Sequence, residues 1–96
     1  MIAEFSIAPI GKEVSLSPYI ARAFRLIEAS GLSFEHHDMG TNIEGDWDEV
    51  MSVIKLCRDD LLRDCQRISI SIRIDERTGI GDRLHKKVAS ARDKMS

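Results

Sequence analysis

Ile68, Ile70, Ile72 and Ile74 alternate with Ser69, Ser71, Arg73 and Asp75. A side-chain period of two puts all four isoleucines on one face of a β-strand and the polar set on the other. A helix would split the isoleucines between two sides. A strand with one wholly apolar face needs a cover on that side, so the remaining elements must form a sheet and something to pack on it.

Those elements can be placed in order. Residues 2–9 alternate too, with Ala3, Phe5 and Ile7 facing one way and Ile2, Glu4, Ser6 and Ala8 the other; Pro9 and Gly11 end that strand. Ser17 before Pro18 predicts a helix N-cap with proline at the first helical position. Ile20, Ala23, Phe24 and Ile27 recur at i, i+3, i+4 and i+7, one apolar stripe, and Gly31 stands where a helix C-terminal glycine belongs. Residues 33–39 return to strand character. After a tight turn at Gly40, residues 41–44 pair back. Asp46 and Glu49 have capping-box spacing, and the helix they open, from Trp47, carries Val50, Ile54, Cys57 and Leu61 on one face. Beyond the isoleucine strand, Asp82 is a candidate cap, and Leu84, Val88, Ala91 and Met95 line a terminal helix.

The order β-α-β-β-α-β predicts an α+β, ferredoxin-like fold. It has a four-stranded antiparallel sheet, two helices on one face and an added C-terminal helix, in a single domain over residues 1–96. A chain of 96 residues buries only about two-thirds of its unfolded surface. Self-association would supplement that small core. The uncovered sheet face would carry small and mixed residues, Ser6, Ala8, Ser69 and Ser71 beside Ile2, Glu4 and Arg73. A face meant only for water would hold more Lys and Glu. The expectation is a dimer or tetramer joined through sheet faces.

A net charge of −2 and a pI near 5.9 argue against a nucleic-acid partner. Arg83, Lys86, Lys87, Arg92 and Lys94 are expected to form a solvated helix face. No apolar run approaches the roughly 20 residues that span a membrane. Strand-like sequence from Ile2 leaves no signal peptide. Cys57 and Cys65 would stand about 12 Å apart along a helix, beyond the roughly 7 Å disulfide limit. Free thiols suit a cytoplasmic location.

The segment Gly40-Thr41-Asn42-Ile43-Glu44-Gly45-Asp46-Trp47-Asp48 holds most of the candidate chemistry. No serine sits in a nucleophile elbow. His36 and His37 are adjacent on a strand, point to opposite faces and cannot easily share a metal. Gly79-Ile80-Gly81 lacks the elements of a phosphate loop. Neither a catalytic nor a metal site is expected. Asp46, Asp48 and Glu49 belong to a helix start. Glu44 lies before the helix, beside Thr41 and Asn42, where a carboxylate can meet a ligand amine or cation. Trp47 suits the core or the wall of a pocket.

Three stretches stand in register: Pro9-Ile10-Gly11, then Gly40-Thr41-Asn42-Ile43-Glu44-Gly45-Asp46-Trp47-Asp48-Glu49-Val50-Met51, then Arg67 and Ile68 through Ile72-Arg73-Ile74-Asp75-Glu76-Arg77. Together they resemble the thiamine-binding protein family, small ferredoxin-like proteins related to the YkoF proteins. The resemblance covers nearly the whole chain. It implies a cytoplasmic, non-catalytic binder of thiamine or its hydroxymethylpyrimidine moiety, held near subunit interfaces of dimers that pair into tetramers. It places ligand contacts at Thr41, Asn42 and Glu44, with Ser6 on the neighbouring strand. Glu44 would offset the thiazolium charge, and Thr41 and Asn42 would bond the pyrimidine edge. Trp47, Phe5 or Phe34 would stack on a ring. His37 and Met39 would line the wall. No cofactor or metal is implied. Two alternatives stay open: a structural or regulatory oligomeric module without a thiamine ligand, and a small acylphosphatase-like hydrolase. The hydrolase reading is weakened because the loop after the first strand lacks arginine.

Overall fold

The structure, a computed structural model, describes residues 1–11, 16–78 and 94–95. Its elements are β1 (Ile2–Pro9), α1 (Ser17–Ala29), β2 (Ser33–His37), β3 (Gly40–Glu44), α2 (Trp47–Leu62) and β4 (Ile68–Asp75). The strands form one sheet in the order β2-β3-β1-β4, with every neighbouring pair antiparallel. This is the expected α+β, ferredoxin-like arrangement. The expected terminal helix, from Leu84 to Met95, lies outside the described residues except at its last positions.

Register decides which side chains share a face. Phe5 of β1 stands opposite Thr41 of β3 and Ile72 of β4, and Ala3 opposite Ile43 and Ile74. This row faces the helices. Ala3, Phe5, Ile7 and Ile43 are buried there against Ala23 and Ile27 of α1 and Val50, Ile54, Cys57 and Leu61 of α2. The α2 stripe therefore matches the sequence, whereas of the α1 stripe only Ala23 and Ile27 are buried and Ile20 is exposed. Ile68 and Ile70 join the same packing, whereas Ile72 and Ile74, on the outer strand, stay exposed.

Local chemistry sets the boundaries. Asp46 accepts a hydrogen bond from the Glu49 N–H at 2.7 Å, and Glu49 accepts one from the Asp46 N–H at 3.0 Å, a complete capping box that starts α2. α1 starts one residue earlier than expected. Leu16, not Ser17, holds the N-cap position, and its carbonyl accepts from the Tyr19 and Ile20 N–H groups. Gly31 follows α1 at φ +79°, the left-handed conformation that glycine adopts without a Cβ penalty. β2 ends at His37 rather than continuing to residue 39, because His37 already pairs with Gly40. Asp38 and Met39 are thus the turn of a tight hairpin.

Trp47 is no core residue. It opens α2 with 55% of its surface exposed. Cys57 and Cys65 are both buried and unbridged.

A cavity beneath helix α1

The open end of the sheet, where β1 approaches the β2–β3 turn, does not close fully. A cavity of about 250 Å³ remains between α1 and the strands. Its roof is Ile20, Ala23, Phe24 and Ile27, the full stripe recognised in the sequence. Phe5, Ile7 and Thr41 form the floor, and the lip is the His37–Gly40 hairpin turn. At the lip, Gly40 lets β3 approach the backbone of β1. A Cβ there would stand 2.6 Å from the Phe5 carbonyl oxygen.

Among the described residues Thr41 is the buried polar residue of the core, only 2% exposed. Its Oγ1 lies 2.9 Å from His36 Nδ1, and His36 Nε2 reaches Glu28 on α1 at 3.3 Å. The His36 ring stacks on Phe24 at 3.7 Å with 13° between planes. Across the sheet, His37 makes a separate set of contacts. Its Nδ1 accepts from the Met39 N–H at 3.2 Å, which assigns the proton to Nε2. Nε2 then donates to Asn42 Oδ1 at 3.2 Å, with Glu4 at 3.6 Å. These contacts hold the turn that makes the lip. As expected from strand geometry, the two histidines serve opposite faces.

Of the residues expected at a ligand site, Ser6, His37, Met39 and Thr41 line the cavity. Asn42 does not. It follows Thr41 on the same strand and so points to the open face, where it touches the cavity only through His37. Thr41 and Asn42 therefore face opposite sides of the sheet. Glu44 pairs with Ile2 at the far end of β1. That is four strand positions from Ser6, or about 13 Å. Trp47 lies beyond Glu44, at the start of α2, and Phe34 faces His36 rather than the cavity. Asp38 and Ser69 line the cavity unforeseen, as does the α1 stripe. The stripe carried a signal in its spacing, which marks an apolar face but not whether that face is packed or hollow. Asp38 carried only its place beside a tight turn.

Among the described residues no three His, Cys, Asp or Glu side chains gather as a metal site. No helix among them is long and apolar enough to cross a membrane. The perturbed ionisations lie away from the cavity mouth. Burial, and secondarily the negative charge of Asp60, push the Cys57 thiol up to about 11. Hydrogen bonds to Asp60 and then Asp64 raise the Arg22 guanidinium further above its already high value.

With fold and cavity in place, comparison with known proteins gives a consistent result. The family model described as "Thiamine-binding protein" matches residues 3–92. The chain belongs to the thiamine-binding protein family. A UPF0045 protein of Methanocaldococcus jannaschii is 35% identical over 88 residues, 92% of this chain and 88% of that one. A UPF0045 protein of Synechocystis is 35% identical over 91 residues, 94% of this chain and 75% of its own. Among solved structures, a hypothetical protein of Methanocaldococcus jannaschii superposes with a TM-score of 0.86 at 34% identity, covering 96% of this chain and 95% of that one. A Thermotoga maritima protein proposed to act in thiamine biosynthesis or salvage shares the fold. Its TM-score is 0.82 at 24% identity, with 94% of this chain and 96% of that one covered. The family is named for binding a small molecule, in keeping with the apolar cavity and its few polar groups.

Proposed function

We propose that this protein is a non-catalytic binder of thiamine or its hydroxymethylpyrimidine moiety, and that the ligand enters the cavity beneath α1. The observation that carries this reading is the cavity itself. It is a half-open cleft lined mainly by apolar side chains, with Ser6, His37, Asp38, Thr41 and Ser69 as its polar groups, the usual composition of a small-ligand site. Its volume of about 250 Å³ is below the roughly 300–1,000 Å³ of sites for drug-sized ligands. A single pyrimidine ring suits it better than whole thiamine. The thiazolium of thiamine would project past Met39, 80% exposed at the lip, with the Asp38 carboxylate beside it. Family membership supports the choice of ligand.

The open sheet face supports self-association. Ser6 and Ala8 of β1 stand opposite Ser71 and Ser69 of β4 there, a strip of small side chains that a second sheet can approach. A partner packed on that strip would lie next to the cavity lip. Two buried free thiols are compatible with the reducing cytoplasm.

Calorimetry with thiamine, hydroxymethylpyrimidine and thiamine phosphate tests the ligand. Heat that saturates for at least one of them is expected; silence for all three at millimolar concentration would remove the reading. Sedimentation tests the assembly. A dimer or larger species is expected, and a single 10.8 kDa species would rule it out.

A further inference from the structure

Three side chains connect solvent to the cavity. Glu28 stands on the exposed side of α1, 3.3 Å from His36 Nε2, and His36 Nδ1 is 2.9 Å from Thr41 Oγ1. Thr41 lines the cavity. Among the described residues, His36 is the one hydrogen-bond partner of the Thr41 side chain. Phe24 stacks on the His36 ring and Phe34 tilts against it at 4.9 Å, which fixes the ring plane.

The direction of each hydrogen bond follows from the ends. An ionised carboxylate offers acceptors only, so Nε2 has to carry the proton. A bare Nε2 would set a lone pair against the carboxylate. A neutral imidazole has one N–H, and Nδ1 is then an acceptor. In that neutral Nε2–H tautomer Thr41 meets Nδ1 as the donor. With its single O–H committed to His36, the hydroxyl has only lone pairs left for the cavity.

We propose that Glu28 and His36 set the polarity of the Thr41 hydroxyl, so that the cavity selects ligands presenting a hydrogen-bond donor to it. The inference rests on the cavity being the ligand site. Thr41 is the residue that touches ligand; Glu28 and His36 are positioning residues. The exocyclic amine of an aminopyrimidine satisfies the requirement. The carbonyl of an oxo-pyrimidine would bring lone pair against lone pair, and a buried unmatched acceptor is costly. Discrimination thus comes from the direction of a hydroxyl, with no charged group in the cavity floor.

The test uses the full chain and two probes, hydroxymethylpyrimidine and the analogue in which a carbonyl replaces its exocyclic amine. The wild type should prefer the amine by about tenfold or more, the loss expected for one buried hydrogen bond. Glu28→Gln changes an exposed residue and should leave folding intact. Its amide can accept from Nε2–H or donate to bare Nε2, so both tautomers become accessible and the hydroxyl can turn. The preference should fall several-fold, mainly through tighter binding of the carbonyl probe. Thr41→Ser should keep the preference and Thr41→Val should abolish it. Nitrogen NMR of the histidines gives a readout without ligand, in which His36 should be the neutral Nε2–H tautomer. An Nδ1–H tautomer or an imidazolium under the assay conditions would overturn the proposal. So would an unchanged probe ratio in both Glu28→Gln and Thr41→Val. If the wild type bound neither probe, the ligand reading beneath would fall, and the His36 tautomer alone would decide the hydroxyl's direction.

Discussion

Gly40 lies so close to Phe5 that no other residue fits between the two strands. A Cβ on Gly40 would meet the Phe5 carbonyl oxygen at 2.6 Å, and the backbone there has φ +151°. Both the steric clash and the conformation favour glycine. Gly40→Ala is expected to lower unfolding stability by about 2–4 kcal/mol, combining positive-φ strain with displacement of β1. Because Gly40 also lines the cavity, ligand affinity should fall in the same variant. Urea unfolding measures the first effect and calorimetry the second; an unchanged midpoint would show that the strands separate easily.

The fold was almost wholly legible, because its signals are local. Alternation in residues 68–75, the stripe from Ile20 to Ile27 and the Asp46–Glu49 capping box each depend on neighbours within one element. The cavity was legible only in part, because a cavity is a property of how elements meet. Thr41, Asn42 and Glu44 belong to one motif, and the family resemblance places ligand contacts at all three. Pleating sends Thr41 and Asn42 to opposite faces, and strand rise carries Glu44 away from the turn. A lone tryptophan at a helix start suits the core or the wall of a pocket. The capping box instead sets it in the first, exposed turn of α2.

Cys57 gives the protein a pH dependence above neutrality. Burial first, and Asp60 second, raise its thiol to about 11, against about 8.5 for an unfolded thiol. The folded value is the higher one, so the stabilisation is complete below the unfolded value and is lost as pH rises toward the folded one. The loss should be on the order of 2–3 kcal/mol by pH 11. Denaturant titrations between pH 8 and about 10.5 should show wild type losing stability more steeply than Cys57→Ala. Parallel slopes would mean that the thiol is not held protonated.

Arg22 ties the two helices together. Its Nε donates to Asp60 Oδ2 at 2.9 Å and a terminal nitrogen donates to the Asp60 backbone carbonyl at 2.9 Å, while the other terminal nitrogen pairs with Asp64. Lysine has one nitrogen and cannot reproduce a planar fork that reaches three acceptors. Arg22→Lys should cost about 1–2 kcal/mol, more than an exposed ion pair, because Arg22 and Asp60 are both partly buried. A double-mutant cycle with Asp60→Asn should give a coupling of about 1 kcal/mol. Additive losses would indicate that the clamp is incidental to helix packing.

Two carboxylates compete for the part of cation partner, and position separates them. Asp38 stands at the cavity lip, whereas Glu44 stands at the other end of β3, opposite Ile2. Four strand positions put Glu44 about 13 Å from the residues around Ser6. At that separation, through solvent at ordinary ionic strength, its charge is largely screened. Asp38→Asn is therefore expected to weaken thiamine, which carries the thiazolium charge, by a few-fold, and to leave neutral hydroxymethylpyrimidine nearly unchanged. Glu44→Gln should alter neither affinity within one protomer. Salt should reduce the Asp38 effect, since the residue is exposed. If Glu44→Gln selectively weakened thiamine instead, the ligand would have to sit on the open sheet face near Ile2, and the cavity would lose its assignment.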